Sequence, residues 1–176
     1  MNTIITILLI IVSVVVLLLV LAVFMRKEYQ VRCDTVINVP QQKAFDFLKM
    51  LNNQEKFNKW AKVDPDRKWE HKGTDGTVGY IIAWRGNKDA GEGEKEIMKI
   101  IEPKIIETEI RFVKPMRVTA SVIMETEFLG DDKTRVALLN AGTLKYPFNI
   151  MIPMVEKKFP KDMNTSLATL KEILEK

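Results

Sequence analysis

Cysteine and histidine are almost missing from this chain, which holds one of each in 176 residues, Cys33 and His71. One cysteine excludes an internal disulfide framework and any multi-cysteine metal site. One histidine leaves no His/Cys ligand set for zinc, so no metal site is expected. A nucleophile–histidine–acid arrangement would have to run through His71. That residue sits in the polar stretch Glu70-His71-Lys72 beside a turn, where a solvated or locally hydrogen-bonded role is the simpler reading. Charge is also missing from one end: no ionisable side chain precedes Arg26, so all 27 Lys+Arg and all 23 Asp+Glu lie beyond it. The net charge of +4 is modest, and the lysines are scattered through turns and strand faces. Nucleic-acid binding needs a concentrated basic footprint, and none is visible, so no nucleic-acid partner is expected. Gly91-Glu92-Gly93 lacks the Lys-Ser/Thr of a phosphate loop and leads into a strand rather than a helix. Asp64, Asp66, Asp131 and Asp132 read as turn residues, and Glu107 and Glu109 as a solvated strand face. No catalytic residue and no cofactor are assigned, and the balance leans away from an enzyme.

What the first residues do have is an apolar run. Ile4 to Met25 is interrupted only by Thr6 and Ser13. About 22 helical residues at about 1.5 Å each span roughly 33 Å, enough for a hydrocarbon layer of about 30 Å. A cleaved signal peptide would need a charged start, a shorter core and a small-x-small site, and Ala22-Val23-Phe24 is a poor one. The expectation is a single-pass anchor over residues 1–26 carrying a soluble domain over residues 27–176. The lipid bilayer would then be the partner of Ile4–Met25. Arg26, Lys27 and Arg32 follow the run closely, which by the positive-inside rule places the domain in the cytoplasm.

Beyond the anchor, Tyr29–Val39 alternates, with Tyr29, Val31, Cys33, Thr35 and Ile37 on one face. The pattern predicts a half-buried strand, ended by Pro40. Two short helices follow, Gln41–Leu51 and Gln54–Trp60. Six strands are then expected: Arg67–His71, Val78–Arg85, Glu94–Ile101, Ile105–Val113, Arg117–Leu129 and Thr134–Thr143. Val78, Tyr80, Ile82 and Trp84 share one face of the second of these. In the fifth, Val118, Ala120, Val122, Met124 and Phe128 point inward. The short turns between strands, Gly130-Asp131-Asp132-Lys133 among them, imply an antiparallel meander. Met163, Leu167, Leu170 and Leu174 make one apolar stripe of a C-terminal helix, preceded by Pro153 and Pro160, which should interrupt or kink what comes before. The fold class is α+β: one curved antiparallel sheet of about seven strands with helices on one face.

That order, with several local motifs, resembles the helix-grip fold of the START/Bet v 1-like (SRPBCC) superfamily. Val36-Ile37-Asn38-Val39-Pro40 running into Ala44-Phe45-Asp46-Phe47-Leu48 is similar to the superfamily's opening strand and helix start. Asn58-Lys59-Trp60, Gly73 to Gly79, Trp84-Arg85-Gly86-Asn87, Gly91-Glu92-Gly93 and Gly142-x-x-x-Tyr146-Pro147 look like its bacterial polyketide cyclase/dehydrase-like subgroup. Some members of that subgroup also carry an N-terminal membrane span. The resemblance implies a hydrophobic cavity between sheet and C-terminal helix, and binding of a hydrophobic small molecule or lipid.

The expected lining is Tyr80, Ile82, Trp84, Ile110, Phe112 and Ala120, with Val122, Leu138, Leu167 and Leu170 completing it. Trp60 and Trp69 are expected at the core or rim. Two rival readings stay open. One is a cyclase- or hydratase-like enzyme using Tyr80, Asn140 or Glu127. The other is a protein-interaction module whose interior is packed solid.

Overall fold

The structure is a computed structural model that describes residues 2–130 and 132–176. Asp131, read above as part of a turn, lies outside the described residues. The first element is helix α1, Thr3–Phe24, and among the described residues it alone is long and apolar enough to cross a membrane. Of its residues only Ala22 is buried against the rest of the chain. Ser13 donates its hydroxyl to the carbonyl of Leu9 at 2.8 Å, so this polar residue is satisfied within the helix.

Strand β1, Glu28–Ile37, follows after only Met25, Arg26 and Lys27. Two short helices come next, α2 (Gln41–Lys49) and α3 (Leu51–Phe57), then a 3-10 turn over Lys59–Lys62. The second predicted helix therefore begins earlier than the sequence suggested. Asn58 ends it, accepting from the backbone N–H of Trp60 at 3.0 Å and capping the 3-10 turn that takes Trp60.

The remaining strands are β2 (Lys68–Lys72), β3 (Ile81–Arg85), β4 (Glu92–Ile101), β5 (Ile105–Lys114), β6 (Val118–Gly130) and β7 (Lys133–Thr143). They form one seven-stranded antiparallel sheet in the order β1-β7-β6-β5-β4-β3-β2. Helix α4, Ile152–Leu174, runs along β1 and closes the sheet. This is the expected curved sheet gripped by a long C-terminal helix.

Three local expectations are corrected. Val78 and Tyr80 are not in a strand: Gly79 at φ 85° turns the chain, and β3 starts only at Ile81, leaving Val78 exposed. Phe128 is not buried but 64% exposed: it keeps the alternation of β6 and pairs with Thr134, but there the strand runs past the core. Pro153 and Pro160 do not interrupt the last helix. Pro153 sits in its first turn, where the missing N–H costs nothing, and the helix continues through Pro160.

Towards the end of the sheet away from α1 the core closes over. Ile37, Phe45, Leu48, Ile106 and Leu170 are fully buried there, each contributing about 1.5–3 kcal/mol through removal from water. Glu175, at the end of α4, accepts from the backbone N–H of Asn38 at 2.7 Å and fixes that end of the helix to the end of β1. At the opposite end of the sheet the buried Asn149 joins the domain to α1. Its side-chain amide donates to the carbonyls of Ala22 at 2.6 Å and Met25 at 3.0 Å. Arg26 forms an ion pair with Glu156 of α4 beside it.

Candidate functional site

The concave face of the sheet is not filled from end to end. Where α3, the 3-10 turn and the middle of α4 cross it, a partly open cavity of about 240 Å³ remains, with mostly apolar walls. Strand pairing explains its position. Cavity residues Tyr29 and Ala120 both pair with Gly142, Phe112 pairs with Val118, and Trp84 pairs with Gly93. All of these pairs lie at the α1 end of the sheet, whereas Ile37 pairs with Thr134 at the other end.

Two glycines set the aromatic walls. A Cβ on Gly93 would come within 2.7 Å of the Trp84 ring, and one on Gly142 within 2.8 Å of the Tyr29 hydroxyl. Each ring therefore lies across the bare backbone of its cross-strand partner, a placement only glycine permits. Trp84 is fixed further by its indole N–H, which donates to the carbonyl of Ala90 at 3.1 Å, and by edge-on contact with Phe112 at 5.6 Å between centroids. Phe159 of α4 packs against Tyr29 and Trp60 at 5.9 and 5.5 Å, closing the helix side.

Of the residues named from sequence, the structure places Ile82, Trp84, Ile110 and Phe112 on the cavity wall, with Ala120, Val122 and Leu138. The other three lie elsewhere. Tyr80 is buried in a separate small cluster with Leu51, Ile82 and Ile97. Its hydroxyl donates to Asn52 at 3.2 Å and lies 2.8 Å from Nδ1 of His71, which gives His71 a local hydrogen bond. Leu167 and Leu170 are buried in the main core and do not reach the cavity; from α4 it is Phe159, Met163 and Ser166 that line it. Trp60 and Trp69 both reach the wall, the latter under the Arg67 guanidinium at 4.3 Å. The three polar groups of the enzyme reading are not brought together. Asn140 lines the cavity, Tyr80 does not, and Glu127 is exposed and paired with Arg135 at 2.7 Å.

The sequence reading missed a charged residue on this wall. Lys95 pairs with Ile82 and Ile110 and occupies an inward position of β4, where an apolar side chain would ordinarily stand. Its ammonium donates to the side-chain oxygen of Gln54, a buried residue whose own amide donates to the carbonyl of Leu48 at 3.0 Å. Burial pulls the Lys95 ammonium down to about 8. On the outer face of the same strands the charges are ordinary surface pairs: Arg111 joins Glu94, Glu96 and Glu109, which hold its guanidinium above its usual value. Glu55, at the cavity edge, is pushed up by burial, against the opposing charges of Arg67 and His71.

Among the described residues no group of three or more His, Cys, Asp or Glu side chains is placed to hold a metal ion.

The fold is the helix-grip fold of the Bet v 1 type, as comparison with solved structures shows. A point mutant of norcoclaurine synthase from Thalictrum flavum superposes with a TM-score of 0.64 at 11% identity, covering 84% of this chain and 94% of that one. Ara h 8.0201 gives 0.60 at 14% identity, covering 84% and 97%. The subunit of the Aha1 dimer from Colwellia psychrerythraea gives 0.56 at 17% identity, covering 84% and 96%. At these identities the likeness establishes the fold alone. No family model and no curated protein matches the sequence.

Proposed function

We propose that this chain is a membrane-anchored binding domain that holds a hydrophobic small molecule or lipid between the curved sheet and the C-terminal helix. The observation that carries the reading is the cavity itself: about 240 Å³ of space bounded by Trp60, Trp69, Trp84 and Phe112, set against the main hydrophobic core. Close packing is the rule in protein interiors, and an unfilled apolar space forfeits dispersion contacts along its walls. Concave apolar pockets with a few polar groups are the usual form of small-molecule sites. A norcoclaurine synthase of the same fold has been solved with dopamine and hydroxybenzaldehyde, so the architecture accommodates small aromatic molecules. The membrane part rests on α1, whose side chains from Ile4 to Phe24 are, Ala22 apart, not covered by the domain. An apolar surface of that size is stable only when lipid or another apolar partner covers it. The superfamily resemblance, including its polyketide cyclase-like subgroup, supports the ligand class.

Native mass spectrometry of the full chain released from detergent micelles tests the reading. The expected result is a retained small amphiphile that disappears in Ala120→Trp while the melting temperature holds. A protein that releases nothing, and that Ala120→Trp destabilises by the ~1–3 kcal/mol typical of overpacking, would show a solid interior and overturn it.

A further inference from the structure

Lys95 and Asn140 are the two polar side chains of the inner sheet face whose presence on the cavity wall the packing does not explain. Lys95 carries its charge into an apolar space with Gln54 as its hydrogen-bond partner, and among the described residues no carboxylate pairs with it. Lys95 is half-buried, and holding an ammonium there without a counter-charge costs free energy, so it lowers the stability of the empty fold. Asn140 is 8% exposed, and its side-chain oxygen has no hydrogen-bond partner. Buried polar atoms are nearly always satisfied, and an orphan facing a cavity marks a place where a donor from outside fits.

The register relates the two. Lys95, Ile110, Ala120 and Gly142 form one cross-strand row, and Val122 with Asn140 stands on the neighbouring rung of the same face. Three strand spacings and a two-residue step along β7 separate Lys95 from Asn140, about 16 Å over a flat sheet and less across its curve. Between them the wall is Ile110, Ala120 and Val122, all apolar.

We propose that the cavity takes an amphiphile with a carboxylate at one end, seated with that carboxylate on the Lys95 ammonium and its apolar body lying across Ile110, Ala120 and Val122 towards Asn140. This rests on the ligand-binding reading above and narrows it to an acid. The carboxylate supplies the counter-charge that the chain does not, and a hydroxyl or amide donor further along the ligand satisfies the Asn140 oxygen. Hydrogen bonds between ionised groups are the stronger class, so the acid should be preferred over an uncharged analogue of the same shape.

The preference also has a pH signature. The other titratable groups on the wall are Tyr29, Glu55, Arg67 and Asp89, from β1, α3 and the loops flanking β2 and β3. With Lys95 depressed to about 8, its charge is present at neutral pH and is lost as pH rises. Affinity for an acid should fall over that range, and affinity for a neutral molecule should not.

The test uses the full chain in neutral maltoside detergent, with protein-free micelles subtracted. Dansyl-aminoundecanoate is titrated against its methyl ester, which keeps the fluorophore and the tail and removes the charge. The acid should bind about tenfold more tightly than the ester near neutral pH. Lys95→Met should bring the acid down to the ester's affinity, leaving the ester unchanged or tighter, and Lys95→Arg should keep the preference. Equal binding of acid and ester to the unmodified protein would overturn the proposal, as would a preference that survives in Lys95→Met. If neither probe binds saturably, the ligand-binding reading itself fails, a result distinct from equal binding of both.

Discussion

The side-chain amide of Asn149 reaches back 127 residues to donate to the carbonyl of Ala22 at 2.6 Å. The last carbonyls of a helix have no partners within it, so Asn149 acts as a cap supplied by the folded domain. With a connection of Met25, Arg26 and Lys27 and the ion pair between Arg26 and Glu156, this contact joins α1 to the domain without a free linker.

Asn149→Ala should therefore loosen that joint, leaving buried carbonyls unpaired at about 1–3 kcal/mol. Asn149→Asp should loosen it more, because a carboxylate turns acceptors towards acceptors. Trypsin cutting after Arg26 and Lys27 in the lipid-reconstituted protein reads the effect, with rates rising from the natural residue to Ala to Asp. Identical rates in all three would show that the amide does not hold the connection.

Lys95 gives a stability prediction whose sign can be worked out. Its ammonium titrates at about 8 in the folded chain, against 10.5 for a lysine free in water, the value it regains on unfolding. Between those values the unfolded chain binds more protons, so the Lys95 contribution to ligand-free stability rises with pH through this window. Lys95→Met should accordingly stabilise the empty protein by about 1–3 kcal/mol near neutral pH, with the gain shrinking towards zero above about pH 10.5. Urea unfolding of both proteins across that range checks it. A gain that stays constant with pH would assign the effect to packing rather than to charge.

Orientation can be read by thiol labelling. Cys33 is buried and its thiol is pushed up chiefly by that burial, so it is a silent background. A cysteine placed at the exposed Asp132, in the turn between β6 and β7, should react with a membrane-impermeant maleimide only after cells are opened. Labelling in intact cells would place the domain on the other side.

Much of the fold was legible because its strands alternate. Residues such as Val31, Ile106 and Val122 are apolar at every second position, and burial at that spacing leaves little choice of face. The cavity wall was legible for the same reason: Ile110, Phe112, Ala120 and Leu138 sit on faces that could be assigned. Lys95 could not be found this way. Glu92-Gly93-Glu94-Lys95-Glu96 carries charge on both faces of β4, so periodicity does not say which side is inward. Tyr80 was misplaced because the apolar alternation from Val78 to Trp84 continues through Gly79, whose positive φ is a backbone property that the pattern does not register. Leu167 and Leu170 share the stripe of Met163 in sequence. Where along α4 the packing changes from open to solid depends on the elements crossing it, above all on α3 and the turn carrying Trp60, which no local pattern encodes.

The cavity lies at the end of the sheet where α1 joins, and that position bears on how tightly the site must hold its ligand. With α1 in a bilayer, an amphiphile dissolved in the same leaflet is confined to a thin layer beside the cavity rather than diluted through the surrounding water. Tethering of this kind raises effective concentration by orders of magnitude without adding a contact. Occupancy is then set by the ligand's abundance in the membrane as much as by the affinity of the pocket. A site that looks weak when titrated from solution can still be nearly full in place, and one that exchanges quickly can follow changes in leaflet composition as they occur.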